Sequence, residues 1–176
     1  MKKIIFLSIF AAAVLCAPLR AQKHGHGHEH AHLRNEIGVS GGAIYSFDHE
    51  AWGSGVHLHY YRTLGDHSKW SVGVMAEQVR VHGGHFTVGA GVKYQILPRL
   101  SIGLLPGVTF LRHDEHEDHG DHAHIHTDRK TLFSAHAELV YDLFHWEKFH
   151  LGPVIDFSFS KDDSHAMAGL HFAICF

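Results

Sequence analysis

The chain has 176 residues, 22 of them histidine, and a formal charge of −3 with the histidines neutral. That length suits one domain, and the charge gives no electrostatic reason to expect a nucleic-acid partner. Past the first twenty residues no stretch carries the ~20 consecutive apolar residues of a spanning helix, and the mean hydropathy near zero suits a barrel, whose apolar residues are diluted by inward-facing polar ones.

Residues 1–21 have the form of an export signal. Lys2 and Lys3 are the basic start, Ile4 to Ala17 an apolar run too short to span a bilayer, and Ala21 a small residue for cleavage. Leu15 stands before Cys16 where a lipid-attachment motif normally has a small residue, which argues against lipidation. With Cys16 removed, Cys175 has no partner for an intramolecular disulfide. Residues 22–35 contain KHGHGHEHAH, in which His24, His26, His28, His30 and His32 alternate with small or charged residues. No apolar face results, so a mobile arm is expected.

From residue 36 onward the pattern has a period of two, the signature of strands with one apolar and one mixed face. A first strand over 36–47 puts Ile37, Val39, Ala43 and Tyr45 on one face. A second, 55–64, alternates Val56, Leu58 and Tyr60 with His57, His59 and Tyr61. A third, 69–81, carries Trp70, Val72, Val74 and Ala76, and HGGH around Gly83 and Gly84 predicts a tight hairpin. The fourth alternates Phe86, Val88, Ala90, Val92, Tyr94 and Ile96 with Thr87, Gly89, Gly91, Lys93 and Gln95. Pro98 breaks it, because proline cannot donate to a ladder, and a fifth strand covers 100–112. Residues 113–128, HDEHEDHGDHAHIHTD, hold six histidines and six acids without an apolar period and read as one long loop. A sixth strand over 130–143 and a seventh over 148–160 follow. KDDS then turns the chain into the eighth, where Ala168, Leu170, Phe172, Ile174 and Phe176 alternate with His165, Gly169, His171 and Cys175.

Eight strands is an even number, and strands of about ten residues separated by turns suit an all-β, antiparallel, up-and-down transmembrane β-barrel over 36–176. With both termini in the periplasm, the odd-numbered connections, the histidine loop among them, face outside. The outward aromatics sort to the strand ends, with Trp70, Tyr94, Tyr141, Phe149 and Phe176 at one and Phe86, Phe110, Phe133 and Phe159 at the other. Two such girdles are what lipid interfaces favour. The signal sequence, the alternating strands and the terminal Phe176 resemble the small eight-stranded outer-membrane barrels, the OmpA transmembrane-domain-like and OmpX-like superfamily. The resemblance implies the fold and a bacterial outer-membrane location with lipid as partner; it implies little about activity.

The inward face includes His57, His59, Glu77, Lys93, His136, Glu138, His150, Asp156 and His171. Eight strands enclose only enough space for side chains, and charges there must pair. Lys93 is therefore expected to pair with Glu77 or Glu138 in a structural plug that does not conduct. The histidine tracts read as labile, multi-site metal ligands by composition rather than a site of fixed spacing. The candidate ligands are His24, His26, His28, His30 and His32 in the arm and His113, His116, His119, His122, His124 and His126 in the loop. Zinc is the first expectation, with nickel and copper open. The expected function is thus a monomeric, non-enzymatic surface barrel that binds divalent metal, with a partner unspecified. A structural or adhesive barrel without a metal role is the alternative. A small lipid-modifying enzyme is the weakest reading: Ser134, His136 and Glu138 share a face, but neighbours two apart on a strand are about 6.5–7 Å apart, poor spacing for a triad.

Overall fold

The computed structural model describes residues 34–65, 67–81, 84–115 and 126–176, with backbone alone for 112–115 and 126–129. Nine strand segments run in chain order: β1 (Asn35–Ser46), β2 (Ala51–Thr63), β3 (Trp70–Arg80), β4 (His85–Leu97), β5 (Leu100–Glu115), β6 (His126–Tyr141), β7 (Phe144–Trp146), β8 (Phe149–Ser160) and β9 (His165–Cys175). Neighbours in sequence pair antiparallel from β1 to β6 and from β7 to β9, β6 pairs with β8, and β9 closes on β1. The result is an eight-stranded up-and-down barrel in which β7 is a three-residue continuation of β6. The register explains that break: Val140 faces Val154 but Phe144 faces Leu151, so one extra residue on the β6 side has been absorbed between them.

The alternation expected from the sequence is the alternation observed. Val74, Leu104 and Leu170 point out, while Met75, Leu105 and Met167, their neighbours or near-neighbours on the same strands, are buried. Exposed Val, Leu, Ile and Phe cover the outside, far more contiguous apolar surface than water tolerates on a monomer. A closed barrel with this exterior satisfies every ladder internally and turns its apolar face to lipid. Aromatics mark both ends, with Trp70 against Tyr94 (ring centroids 4.6 Å apart), Phe149 and Phe176 at the end carrying the chain terminus, and Phe86, Phe110, Phe133 and Phe159 at the other.

Besides β7, which occupies residues expected to connect the sixth and seventh strands, two boundaries differ from the sequence expectation. The first hairpin pairs to Ser46↔Ala51, leaving only residues 47–50 as the turn, and Glu50 takes a left-handed backbone (φ 48°). The fifth connection is also shorter, since β5 and β6 stay in register through His113↔Asp128, Asp114↔Thr127 and Glu115↔His126. Backbone hydrogen bonds alone extend these ladders, which an apolar period cannot reveal. Residues 116–125, the tip of the histidine tract, lie outside the described residues, as do the signal sequence and the arm through residue 33. Pro106 sits mid-strand in β5, and the β4–β5 ladder skips Ala90 and Gly91 beside it, the local cost of a residue without an N–H. Asn35 and Phe176 exchange backbone hydrogen bonds of 2.9 Å in both directions, so the two ends of the barrel chain meet at one rim.

Candidate functional site: a histidine and carboxylate network inside the barrel

The interior is polar because every inward position between lipid-facing residues is free to be, and because the space must be filled. One cavity, lined by Glu36, Lys93, Glu138, Asp142, His150 and His171 toward the chain ends, holds about 20 Å³, room for roughly one water. Near the chain ends Lys93 Nζ sits 2.5 and 2.6 Å from the two oxygens of Glu36 and 4.6 Å from the centre of the Tyr61 ring. The expected partner for Lys93 was Glu77 or Glu138, and this is corrected. Glu77 lies opposite Thr87, six residues further along β4, too far for a lysine. Glu138 is in the same row as Lys93 across Gly103, but it faces His57 (Nδ1 to Oε2, 3.4 Å). Glu36 also meets His59 Nε2 at 3.3 Å, and His59 stacks on His171 (centroids 5.1 Å), whose Nδ1 bonds Ser40 Oγ at 3.1 Å. Gly38 makes room for this stack: a Cβ there would stand 2.7 Å from His59 Cε1 and 2.9 Å from His171 Cε1.

At the far end β3, β6, β8 and β9 bring a second group together. His136 Nδ1 is 3.2 Å from Asp156 Oδ1, and its Nε2 is 3.3 Å from Ser158 Oγ and 3.7 Å from Glu77 Oε2. His165 Nε2 lies 3.6 Å from Glu77 Oε1, and Asp163 reaches His85 Nδ1 at 2.6 Å and His165 Nδ1 at 3.7 Å. Burial would raise the Asp163 carboxyl, yet the imidazoles of His165 and His85 outweigh it and hold the group below the ordinary carboxylate range. At the rim beside the chain ends, His150 bridges Asp142 Oδ2 (3.0 Å) and Cys175 Sγ (3.4 Å). The free thiol of Cys175 is buried.

Every inward residue expected from the sequence is inside: His57, His59, Glu77, Lys93, His136, Glu138, His150, Asp156 and His171. Glu36, His85 and Asp163 were missed, the first because it adjoins the arm and the other two because they read as turn residues. Ser134, His136 and Glu138 do not converge; Ser134 accepts from Thr109, and His136 and Glu138 serve the partners above. Ser158, His136 and Asp156 do stand in the order serine, imidazole, carboxylate. Ser158 is 2% exposed, however, and a nucleophile enclosed in a packed barrel has no substrate carbonyl within reach. The side chains of His113, His116, His119, His122, His124 and His126, and all of His24, His26, His28, His30 and His32, lie outside the described residues.

The architecture has close counterparts among solved structures. Ail, the attachment invasion locus protein of Yersinia pestis, superposes with a TM-score of 0.57 at 15% identity, over 81% of this chain and 98% of that one. One Ail crystal structure holds the heparin analogue sucrose octasulfate. The fold is that of the small eight-stranded outer-membrane barrels. The N-terminal β-barrel domain of Pseudomonas aeruginosa OprF (TM-score 0.51, 14% identity, 81% of this chain and 98% of that one) and Neisserial surface protein A (0.51, 9%, 81% and 96%) share it. No family model matches the chain, and no curated protein matches its sequence. At these identities the likeness carries the fold of the outer-membrane barrels, while activity must be argued from this chain's own residues.

Proposed function

We propose that this chain is a non-enzymatic bacterial outer-membrane barrel, with both termini in the periplasm, that binds divalent metal at the cell surface through its histidine-rich hairpin and on the periplasmic side through its amino-terminal tract. Zinc is the first ion, with nickel and copper as competitors for the same imidazoles. The location is supported by the lipid-facing exterior together with the shared fold. The observation that carries the metal reading is the β5–β6 register. The ladder runs on to Glu115↔His126 at the rim opposite the chain ends, so the first and last stretches of the acidic histidine tract stand side by side. Six imidazoles and six carboxylates over 113–128 give many ligand sets of similar quality, which suits labile binding. The same acids make a sulfated sugar of the kind held by Ail a poor ligand near neutral pH.

The test is a calorimetric zinc titration of the intact chain in lipid, compared with deletions of 113–128 and of 23–32. Micromolar or tighter multi-site binding that falls in steps with each deletion is expected, and deletion-insensitive binding would refute the reading. Protons compete for the same nitrogens, so affinity should drop steeply between roughly pH 7 and pH 5.5. A purely adhesive barrel would keep its partner in chelator.

A further inference from the structure

Glu77 is wholly buried, and neither of its carboxylate oxygens accepts a hydrogen bond from any described residue. The basic groups facing it among the described residues are imidazoles: His165 Nε2 at 3.6 Å from one oxygen, His136 Nε2 at 3.7 Å from the other, and His85 nearby. At the opposite end of the barrel Lys93 already neutralises Glu36, whereas among the described residues no such ammonium is paired with Glu77. A buried carboxylate with no bonded donor is costly, and native proteins rarely leave one in that condition.

The distances are too long for hydrogen bonds but suit ligands sharing an ion. Two ligands each about 2.0–2.1 Å from a tetrahedral zinc stand roughly 3.4 Å apart. One ligand atom from each of Glu77, His85 and His165 lies within 4.8 Å of the others, and all three residues are buried. The far side of the His85 ring is arranged as a metal-bound imidazole requires. Asp163 holds His85 Nδ1 at 2.6 Å, which leaves His85 Nε2 as a buried atom without a hydrogen-bond partner; both ring nitrogens of His165 are buried without one, Nδ1 standing 3.7 Å from Asp163. The carboxylate behind His85 fixes its tautomer and raises its basicity as a ligand. His136, itself backed by Asp156, stands 3.7 Å from the second oxygen of Glu77.

We infer that Glu77, His85 and His165 form a site for one divalent transition-metal ion inside the barrel, with two imidazole nitrogens and a carboxylate oxygen as ligands and Asp163 as the residue that positions the His85 ring. Two histidines and one carboxylate leave a further coordination position open, as in sites that exchange a ligand. His85 and His165 begin β4 and β9, at the rim opposite the chain ends, so an ion need not cross the packed middle to reach the site. The site does not depend on the histidine tracts.

The experiment uses the full chain with the eleven tract histidines replaced by serine, refolded in lipid, stripped with chelator and titrated with cobalt(II) at pH 7. The expected result is one tight equivalent with the visible absorption of a four- or five-coordinate nitrogen and oxygen site. In that background Glu77→Gln and His165→Asn should each weaken binding at least 100-fold, while His171→Asn at the other end leaves it unchanged. Far-UV circular dichroism verifies the fold of each variant. A folded tract-substituted chain that takes up no cobalt overturns the site, as does binding indifferent to both substitutions; protons alone would then balance Glu77. The first arm needs no core substitution, so misfolding of Glu77→Gln cannot mask the answer. Loss of the surface reading looks different: the tract-substituted chain would then bind as many zinc ions as the unmodified one.

Discussion

Replacing Lys93 by methionine removes the only ammonium bonded to Glu36 among the described residues and leaves that carboxylate, among those residues, with His59. Breaking a fully buried pair costs ~3–5 kcal/mol. Here the two side chains keep 15% and 17% of their exposure, and water moderates the penalty to ~2–4 kcal/mol. The methionine keeps most of the contact with the Tyr61 ring but loses its cation–π component, worth ~0.5–2 kcal/mol. With a urea slope of ~2 kcal/mol per molar, the unfolding midpoint should fall by ~1–2 M. Glu36→Gln combined with Lys93→Met removes both charges, so the double variant should lie well above the sum of the single losses, with a coupling of ~1–3 kcal/mol. The assay is reversible urea unfolding in lipid vesicles, followed by tryptophan fluorescence. If Lys93→Met shifts the midpoint by under ~0.3 M, or if the two substitutions simply add, then the pair is not what anchors this end of the barrel.

Three further outcomes follow from the same geometry. Gly38→Ala should destabilise the barrel by ~1–3 kcal/mol, because the new methyl meets the His59 and His171 rings; a neutral effect in the same urea assay would mean the stack is loose. Planar-bilayer recordings should show no large, stable conductance, since buried side chains of the strands fill the lumen; steady channels would contradict the packed interior. Asp162 lies outside the strands, and the hydrogen bond from Lys130 holds its carboxyl below the ordinary value. A lowered carboxylate stabilises the fold above its unfolded pKa of ~3.9 and loses that contribution as pH falls through the folded value. Carboxyl NMR titration should therefore show the Asp162 midpoint rising when Lys130 is changed to alanine, and an unmoved midpoint would discard the pair.

The fold was legible because lipid and a filled lumen impose opposite demands on alternate residues, and Phe86 through Ile96 obey them without a gap. The inward residues could be named for the same reason. Which of them touch could not, because partners inside a barrel are set by strand stagger and by side-chain length across the lumen. Lys93 shares a row with Glu138 yet reaches Glu36 on β1, a residue placed by the closure of β1 on β9. His85 and Asp163 were hidden by their position: flanked by HGG and KDD, they look like turn residues, and the register alone turns them inward. The hairpin ladder beyond Arg112 carries no apolar signal at all, since backbone pairing is blind to side-chain type.

Along each strand of the barrel successive residues face lipid and lumen in turn, and one experiment reads that directly. In lipid nanodiscs with protonated acyl chains, the methyl groups of Val74, Leu104 and Leu170 should show nuclear Overhauser contacts to the lipid, while those of Met75, Leu105 and Met167 show none. Lipid contacts to the second set, or water in place of lipid around the first, would contradict the barrel and everything built on its interior.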